Sequence, residues 1–437
     1  LVQDAGTFWC VDAGIDVGTS GAGTLDISGG AAVTASSVRL ASSRDGYGRV
    51  RVSGSGSVLV ATNQFDVSSA GSAGNGELQV TDGGLVNASD VTTSVIGSLG
   101  RLSLDGGVFR VNSLTNHGVV AGGGTIEGRG DFTNERLLLV GPGEELDLAI
   151  DFANDDQLLV DGGTLFSEEP IENQGSGLIT LDGGILIGAT PSAASTGLDN
   201  DGTLASVGAE SSVFGEVASS GVITAADNSS LRFHDDVDST SGSTIEVFAG
   251  SRIVALKDLT VRSGAELRAQ ISGSDVGSGL GVLEVVGDLA ISGVLQVSAV
   301  DLSSPAVGDT YSIATAAGAI DSSLTLTSSP VLPTGLEWRL RETARAIDLV
   351  IVSALPGDYN ADGVVDTADY TVWRDALDTP GLLAAADGDT DGDIDVDDYV
   401  IWRNNFGATL AGAAVTPEPV SLWLVAIGVP MVKTRAR

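Results

Sequence analysis

The sequence predicts a mainly β protein. The expected architecture is a right-handed parallel β-helix (a solenoid) with a β cap, followed by a small α-helical domain built on two acidic loops. Three observations predict it. From the start to about Val300 one phrase recurs, a short alternating run ending in Gly or Gly-Gly. Leu302–Val352 drops that phrase but still alternates. Asp358–Gly407 then holds two copies of one acidic pattern, with Asp387 following Asp358 by 29 residues.

The repeating phrase comes first. It reads GTLDISGG at Gly23–Gly30, GELQVTDGG at Gly76–Gly84 and GRLSLDGG at Gly100–Gly107. Further on come QLLVDGG at Gln157–Gly163 and GLITLDGG at Gly177–Gly184, with looser copies from Gly202, Ser243 and Asp288. Apolar residues alternate within each copy, as in Leu25/Ile27, Leu78/Val80 and Leu102/Leu104. Period-2 alternation marks a strand with one buried face. Gly-Gly marks a turn where positive φ costs little. Copies lie too far apart for hairpins and too close for βαβ units, which suggests stacked coils. A β-sandwich array fits the same alternation. The stretch resembles the repeats of bacterial autotransporter passengers.

Composition bounds the class. The net charge of −37 argues against nucleic acid and anionic membranes as partners and favours divalent cations. Hydrophobic residues reach 42%, too many for a disordered chain, and the 60 glycines suit short strands with tight turns. The single Cys10 can form no internal disulfide. The chain opens on Leu1 and reads as an incomplete N-terminus, so no weight falls on the lack of a leader.

In the cap segment, Trp338/Leu340 and Ile347/Leu349/Ile351 alternate and suggest antiparallel strands over the solenoid's open end. The expected division is 1–300 solenoid, 301–353 cap, 354–410 two-loop domain and 411–437 tail.

The loops carry explicit chemistry. Ca²⁺ takes six to eight oxygens, and a twelve-residue loop supplies them from positions 1, 3, 5, 7, 9 and 12. The first copy offers Asp358, Asn360, Asp362, the carbonyl of Val364, Asp366 and Asp369. The second offers Asp387, Asp389, Asp391, the carbonyl of Asp393, Asp395 and Asp398. Gly363 and Gly392 stand at position 6, which needs a sharp turn. Val365 and Ile394 stand at position 8, as expected if the loops pair side by side. Two bound Ca²⁺ ions are expected, with helices Tyr370–Leu377 and Tyr399–Phe406 after the loops.

This stretch resembles a type I dockerin, which has two such loops with Asp at the last position and a helix after each. The resemblance implies docking to a cohesin-like or other envelope protein. In that family, loop positions 10 and 11 carry hydroxyl residues that contact cohesin. Here they are Thr367-Ala368 and Val396-Asp397, a departure that leaves the Ca²⁺ ligands in place.

The tail reads Pro417-Glu418-Pro419, an apolar run Val420–Val432, then Lys433, Arg435 and Arg437. It resembles the PEP-CTERM sorting signal of Gram-negative bacteria. That resemblance implies export, transient retention at the membrane, and processing by an exosortase-type enzyme. The basic end fits the positive-inside rule. The run is shorter than the ~20 residues of a spanning helix.

Catalytic constellations are sparse. His117 and His234 are isolated, and GxSxG, HExxH and CxxC are absent. The Gly-rich stretch near Gly279 lacks a P-loop lysine. Asp155-Asp156, Glu168-Glu169 and Asp235-Asp236 read as solvated turns, because adjacent strand residues point to opposite faces. The expectation is an exported cell-surface structural, adhesion or docking protein, with extracellular polysaccharide as a further candidate partner. The alternative is a polysaccharide-degrading enzyme, a β-helix lyase or glycoside hydrolase carrying a dockerin. That reading needs charged residues aligned on one sheet face.

Overall fold

Each coil of the chain lays its strands in parallel on the strands of the coil before. The structure, a computed structural model, describes residues 1–68, 74–189, 196–273, 282–302, 304–377 and 384–410. One inward column can be followed in register through Leu25, Val50, Leu78, Leu102, Val120, Leu138 and Leu158. It continues through Ile179, Leu204, Ile223, Ile245, Leu267 and Leu295. Every one of these side chains is buried. A second column runs from Val33 through Leu59, Val86, Phe109 and Ile126 to Leu148. A third runs from Phe132 through Phe152, Ile171, Leu198, Val217, Val237 and Leu259 to Leu289. The alternating residues of the repeats are thus the core of a parallel β-solenoid, and hydrophobic burial holds the stack together.

In every Gly-Gly phrase but the first, where both Gly29 and Gly30 have positive φ, the two glycines answer different demands. Gly183 has φ 64°, the left-handed region, where a side chain is strained. Gly184 has no such backbone, but a Cβ there would stand 2.4 Å from the Val160 carbonyl oxygen of the coil below. One glycine makes the turn and the next lets the coils approach.

A buried polar column accompanies the apolar ones. Asn116, Asn134, Asn154, Asn173 and Asn200 are each at most 1% exposed. The Nδ2 of each of the first four donates to the Oδ1 of the next at 2.7–2.9 Å, and Asn200 donates to Ser219 Oγ. Each Nδ2 also donates to a backbone carbonyl of the adjoining turn, such as Gln157 O from Asn134. Buried amides are tolerable only when so paired.

Parallel stacking continues past residue 300. Strands Thr310–Ala316 and Ile320–Ser328 both lie parallel on earlier coils. The antiparallel part is a pair. The inner cap strand, Ala346–Ser353, lies on Thr310–Ala316, and the outer cap strand, Leu336–Glu342, lies on the inner one. Alternation reports which face is buried but not a partner's direction, so the sequence could not place that switch.

Candidate metal centre

Two helices follow the loops, α1 (Thr367–Ala376) and α2 (Val396–Asn405). Both begin three residues earlier than the sequence reading placed them, because loop positions 9 and 12 form capping boxes. Asp366 and Asp395 are the N-caps, and Asp369 and Asp398 reach back to the cap N–H groups at 2.8 and 2.7 Å. The same carboxylates close the loops: Asp369 Oδ1 accepts from Asn360 N at 3.0 Å, and Asp398 Oδ1 from Gly388 N at 2.6 Å.

Position 1 is held alike in both copies. Asp358 Oδ2 accepts from Gly363 N at 2.9 Å, and Asp387 Oδ2 from Gly392 N at 3.1 Å. The position-6 glycines have φ 87° and 97°. In the first loop Asn360 Nδ2 donates to Asp362 Oδ2 at 3.0 Å. In the second, carboxylate oxygens of Asp387, Asp389 and Asp391 lie within 4.8 Å of one another. Val364 and Asp393 stand at position 7, where each N–H donates to the position-5 carboxylate at 2.9 Å.

Charge is where the two loops are anomalous. Asp358, Asp369, Asp387 and Asp398 are 2%, 0%, 4% and 0% exposed. Among the described residues none of them has an Arg, Lys or His within ion-pair distance, and the domain's one ion pair, Arg374 with Asp375, lies on the surface of α1. Burial pushes all four above the usual carboxylate range, Asp387 to about 6. Asp387 Oδ1 is buried with no hydrogen-bond partner. Buried carboxylates without a cation are costly, so this donor set suits a hard cation that wants oxygen. Each carboxylate oxygen already bonded to an N–H keeps a second lone pair for such an ion.

The two copies lock together through aromatic residues. Trp373 Nε1 donates to Asp395 O at 2.8 Å, and Trp402 Nε1 donates to Asp366 O at 2.7 Å. Trp373 stacks near Tyr399 and Trp402 near Tyr370, with ring centres 5.1 and 5.2 Å apart. The buried Tyr359 hydroxyl reaches Asp398 O at 2.6 Å. Position 8 does not join the loops: Val365 exchanges backbone bonds with Gly407 and Ala408, at 2.8 and 2.9 Å. The chain beyond α2 therefore takes the edge that the second loop was expected to fill. No family model, curated protein or solved structure matches this chain.

Elsewhere the structure places the other sequence candidates apart. His117 Nδ1 meets Glu135 at 2.9 Å, and His234 stacks on Phe214 with ring centres 3.8 Å apart. Asp235 is no free turn residue: it holds Lys257 at 2.6 Å and accepts from Gly215 N at 2.9 Å, tying three coils together. Among the described residues, one mixed-charge cluster of the kind an enzyme would need lines an open groove of about 490 Å³, at Asp90, Arg110, Glu127 and Arg129. Arg110 and Glu127 are spent on each other at 2.6 Å. The tail 411–437, with its sorting-signal resemblance, lies outside the described residues.

Proposed function

We propose that this is an exported cell-surface protein in which a β-solenoid serves as spacer or adhesive stalk and the two-loop domain is a dockerin-like, Ca²⁺-dependent docking element. The observation that carries the reading is the set of four buried carboxylates with no basic side chain among the described residues at ion-pair distance, with the orphaned Asp387 Oδ1 among them. Asp358, Asn360, Asp362, the Val364 carbonyl, Asp366 and Asp369 would hold one Ca²⁺. Asp387, Asp389, Asp391, the Asp393 carbonyl, Asp395 and Asp398 would hold the second. Neutralising these groups would couple ion binding to folding of a domain with a small apolar core, Tyr359, Ala376 and Ala386 packed on Trp373, Trp402 and Ile394. In this reading the tail is a PEP-CTERM-like sorting signal cut by an exosortase-type enzyme, and partners are envelope proteins of cohesin-like kind or extracellular polysaccharide.

The experiment is calorimetric titration of the chelator-stripped full chain with Ca²⁺, alongside tryptophan emission compared with that of a Trp373→Phe/Trp402→Phe chain, so that the loop-domain contribution is isolated from the other three tryptophans. Two bound ions and a changed emission are expected, with Mg²⁺ a poor substitute because it demands a tighter octahedral shell. No heat of binding together with unchanged emission would sink the reading.

A further inference from the structure

We infer that cation loading of the second loop and closure of the solenoid's C-terminal end are one coupled equilibrium, with Arg339 of the outer cap strand as the positioning residue that joins them. The inference rests on the cation-binding reading above. It goes further by assigning the two-loop domain a docking surface within its own chain.

The outer cap strand is two-faced. Leu336, Trp338 and Leu340 pack against the solenoid core. Glu337, Arg339 and Arg341 alternate with them and so point the other way. Arg339 Nη1 donates to Gly388 O at 3.0 Å, while Nη2 holds Glu337 at 2.7 Å. Gly388 lies between Asp387 and Asp389, two members of the gathered carboxylate set. Its peptide N–H is held by Asp398, so the loop backbone is fixed from within by a ligand carboxylate and from outside by the cap.

A second line runs deeper. Arg341 holds Asp348 of the inner strand at 2.9 Å, and Asp348 accepts from Ser312 Oγ, also at 2.9 Å, on the last parallel coil strand of that face. The charge of Arg341 also reaches Asp387 and favours its carboxylate form. The first loop is tied less firmly: Ser353, the last residue of the inner strand, donates to Asp358 Oδ2 at 3.2 Å. Burial agrees with this docking. Ile347, Leu349 and Ile351 belong to the solenoid core, yet Val350 and Val352, which point away from it, are 1% and 7% exposed. The single turn of 3-10 helix Ala384–Ala386, just before the second loop, packs against this strand.

An ion that organises the second loop thus also fixes the groups gripping the cap. By linkage the cap must favour the ion by the same factor. The geometry ties the second site to the outer cap strand and leaves the first with the Ser353 bond to the inner strand.

The test uses the full chain. Amide exchange by mass spectrometry is followed in chelator and in CaCl₂ over Leu336–Glu342 and Ala346–Ser353, with Ca²⁺ affinities from calorimetry. Ca²⁺ should slow exchange in the outer strand. Arg339→Ala should remove most of that protection and weaken one of the two sites by about tenfold. Arg339→Lys, which keeps a charged donor, should restore most of both. Should Arg339→Ala disturb folding, Asp387→Ala serves instead: it spares Arg339 and should abolish the Ca²⁺-dependent protection of the outer strand. The coupling is overturned if Ca²⁺ binds but protects only the loops and helices, with both affinities unchanged in Arg339→Ala. It is also overturned if Asp387→Ala keeps the outer strand's protection. In both cases the cation reading survives. Absence of any Ca²⁺ binding by the wild-type chain would overturn both.

Discussion

Replacing Asn154 by Ala cuts the buried amide column at its middle. Asn154 is 0% exposed and engaged on both sides. Its Oδ1 accepts from Asn134 Nδ2 at 2.7 Å, and its Nδ2 donates to Asn173 Oδ1 at 2.9 Å and to Asp156 O at 3.0 Å. Three hydrogen bonds vanish at about 1 kcal/mol each. Asn134 Nδ2 keeps Gln157 O, but Asn173 Oδ1, in a residue 1% exposed, loses its donor within the column. Such an orphaned buried acceptor adds about 1–3 kcal/mol, so the expected loss is about 4–6 kcal/mol. Urea denaturation followed by far-UV circular dichroism gives the total, and amide exchange across Asn134–Leu178 shows where it falls. Asn112→Ala is the control: Asn112 is half-buried and donates to Thr92 O at 3.0 Å, so its loss should stay near 1 kcal/mol. If Asn154→Ala costs no more than the control and leaves local exchange unchanged, the column is a by-product of the fold and not a support.

Three further outcomes are expected. Gly184→Ala should destabilise more than Gly183→Ala in paired melts: the first drives a Cβ to 2.4 Å from Val160 O, whereas the second adds left-handed strain of about 1–2 kcal/mol with its nearest neighbour, Ala209 Cβ, at 3.3 Å. Trp402→Phe removes the donor to Asp366 O and should weaken the first Ca²⁺ site although Trp402 belongs to the second copy; calorimetry showing loss only at the second site would contradict this. Ca²⁺ affinity should depend on pH. The Asp387 carboxyl, raised to about 6 by burial, takes up a proton in the cation-free fold that the unfolded chain does not hold until about pH 4. Below pH 6 that proton stabilises the cation-free fold, and Ca²⁺ must displace it, so one site should lose about tenfold in affinity from pH 7 to pH 5. Equal affinities at the two pH values would refute the shift.

Legibility differed by element. Leu25, Leu78 and Leu102 announced a strand each through alternation, and their stacking in one column followed from the repeat. The two loops were legible as a duplicated acidic turn, because Asp358 and Asp387, Gly363 and Gly392, and Asp369 and Asp398 recur at one fixed offset that side-chain identity alone displays. The asparagine column was missed although its signal was present: Asn116, Asn134, Asn154, Asn173 and Asn200 each close a strand and precede a polar turn. An Asn near a turn reads as a turn former, and only the stacking of coils turns five such residues into one buried chain. Arg339 and Arg341 were also missed, since nothing local distinguishes an alternating charge on a cap strand from a solvated one. The unbroken apolar run Leu349–Val352 did carry a hint, because a strand buried on both faces needs cover on its outer side.

Every coil of the solenoid is joined to the next by backbone bonds that run along the long axis, at about 4.8 Å per step. Tension applied between the two ends therefore loads these interfaces in series. A rod built this way yields first at its weakest joint, and each coil that peels away releases slack many times its own thickness: 20 residues, the span from Asn134 to Asn154, reach roughly 70 Å when extended. The amide column crosses joint after joint along the same axis, so it bears directly on the force at which the first coil lets go.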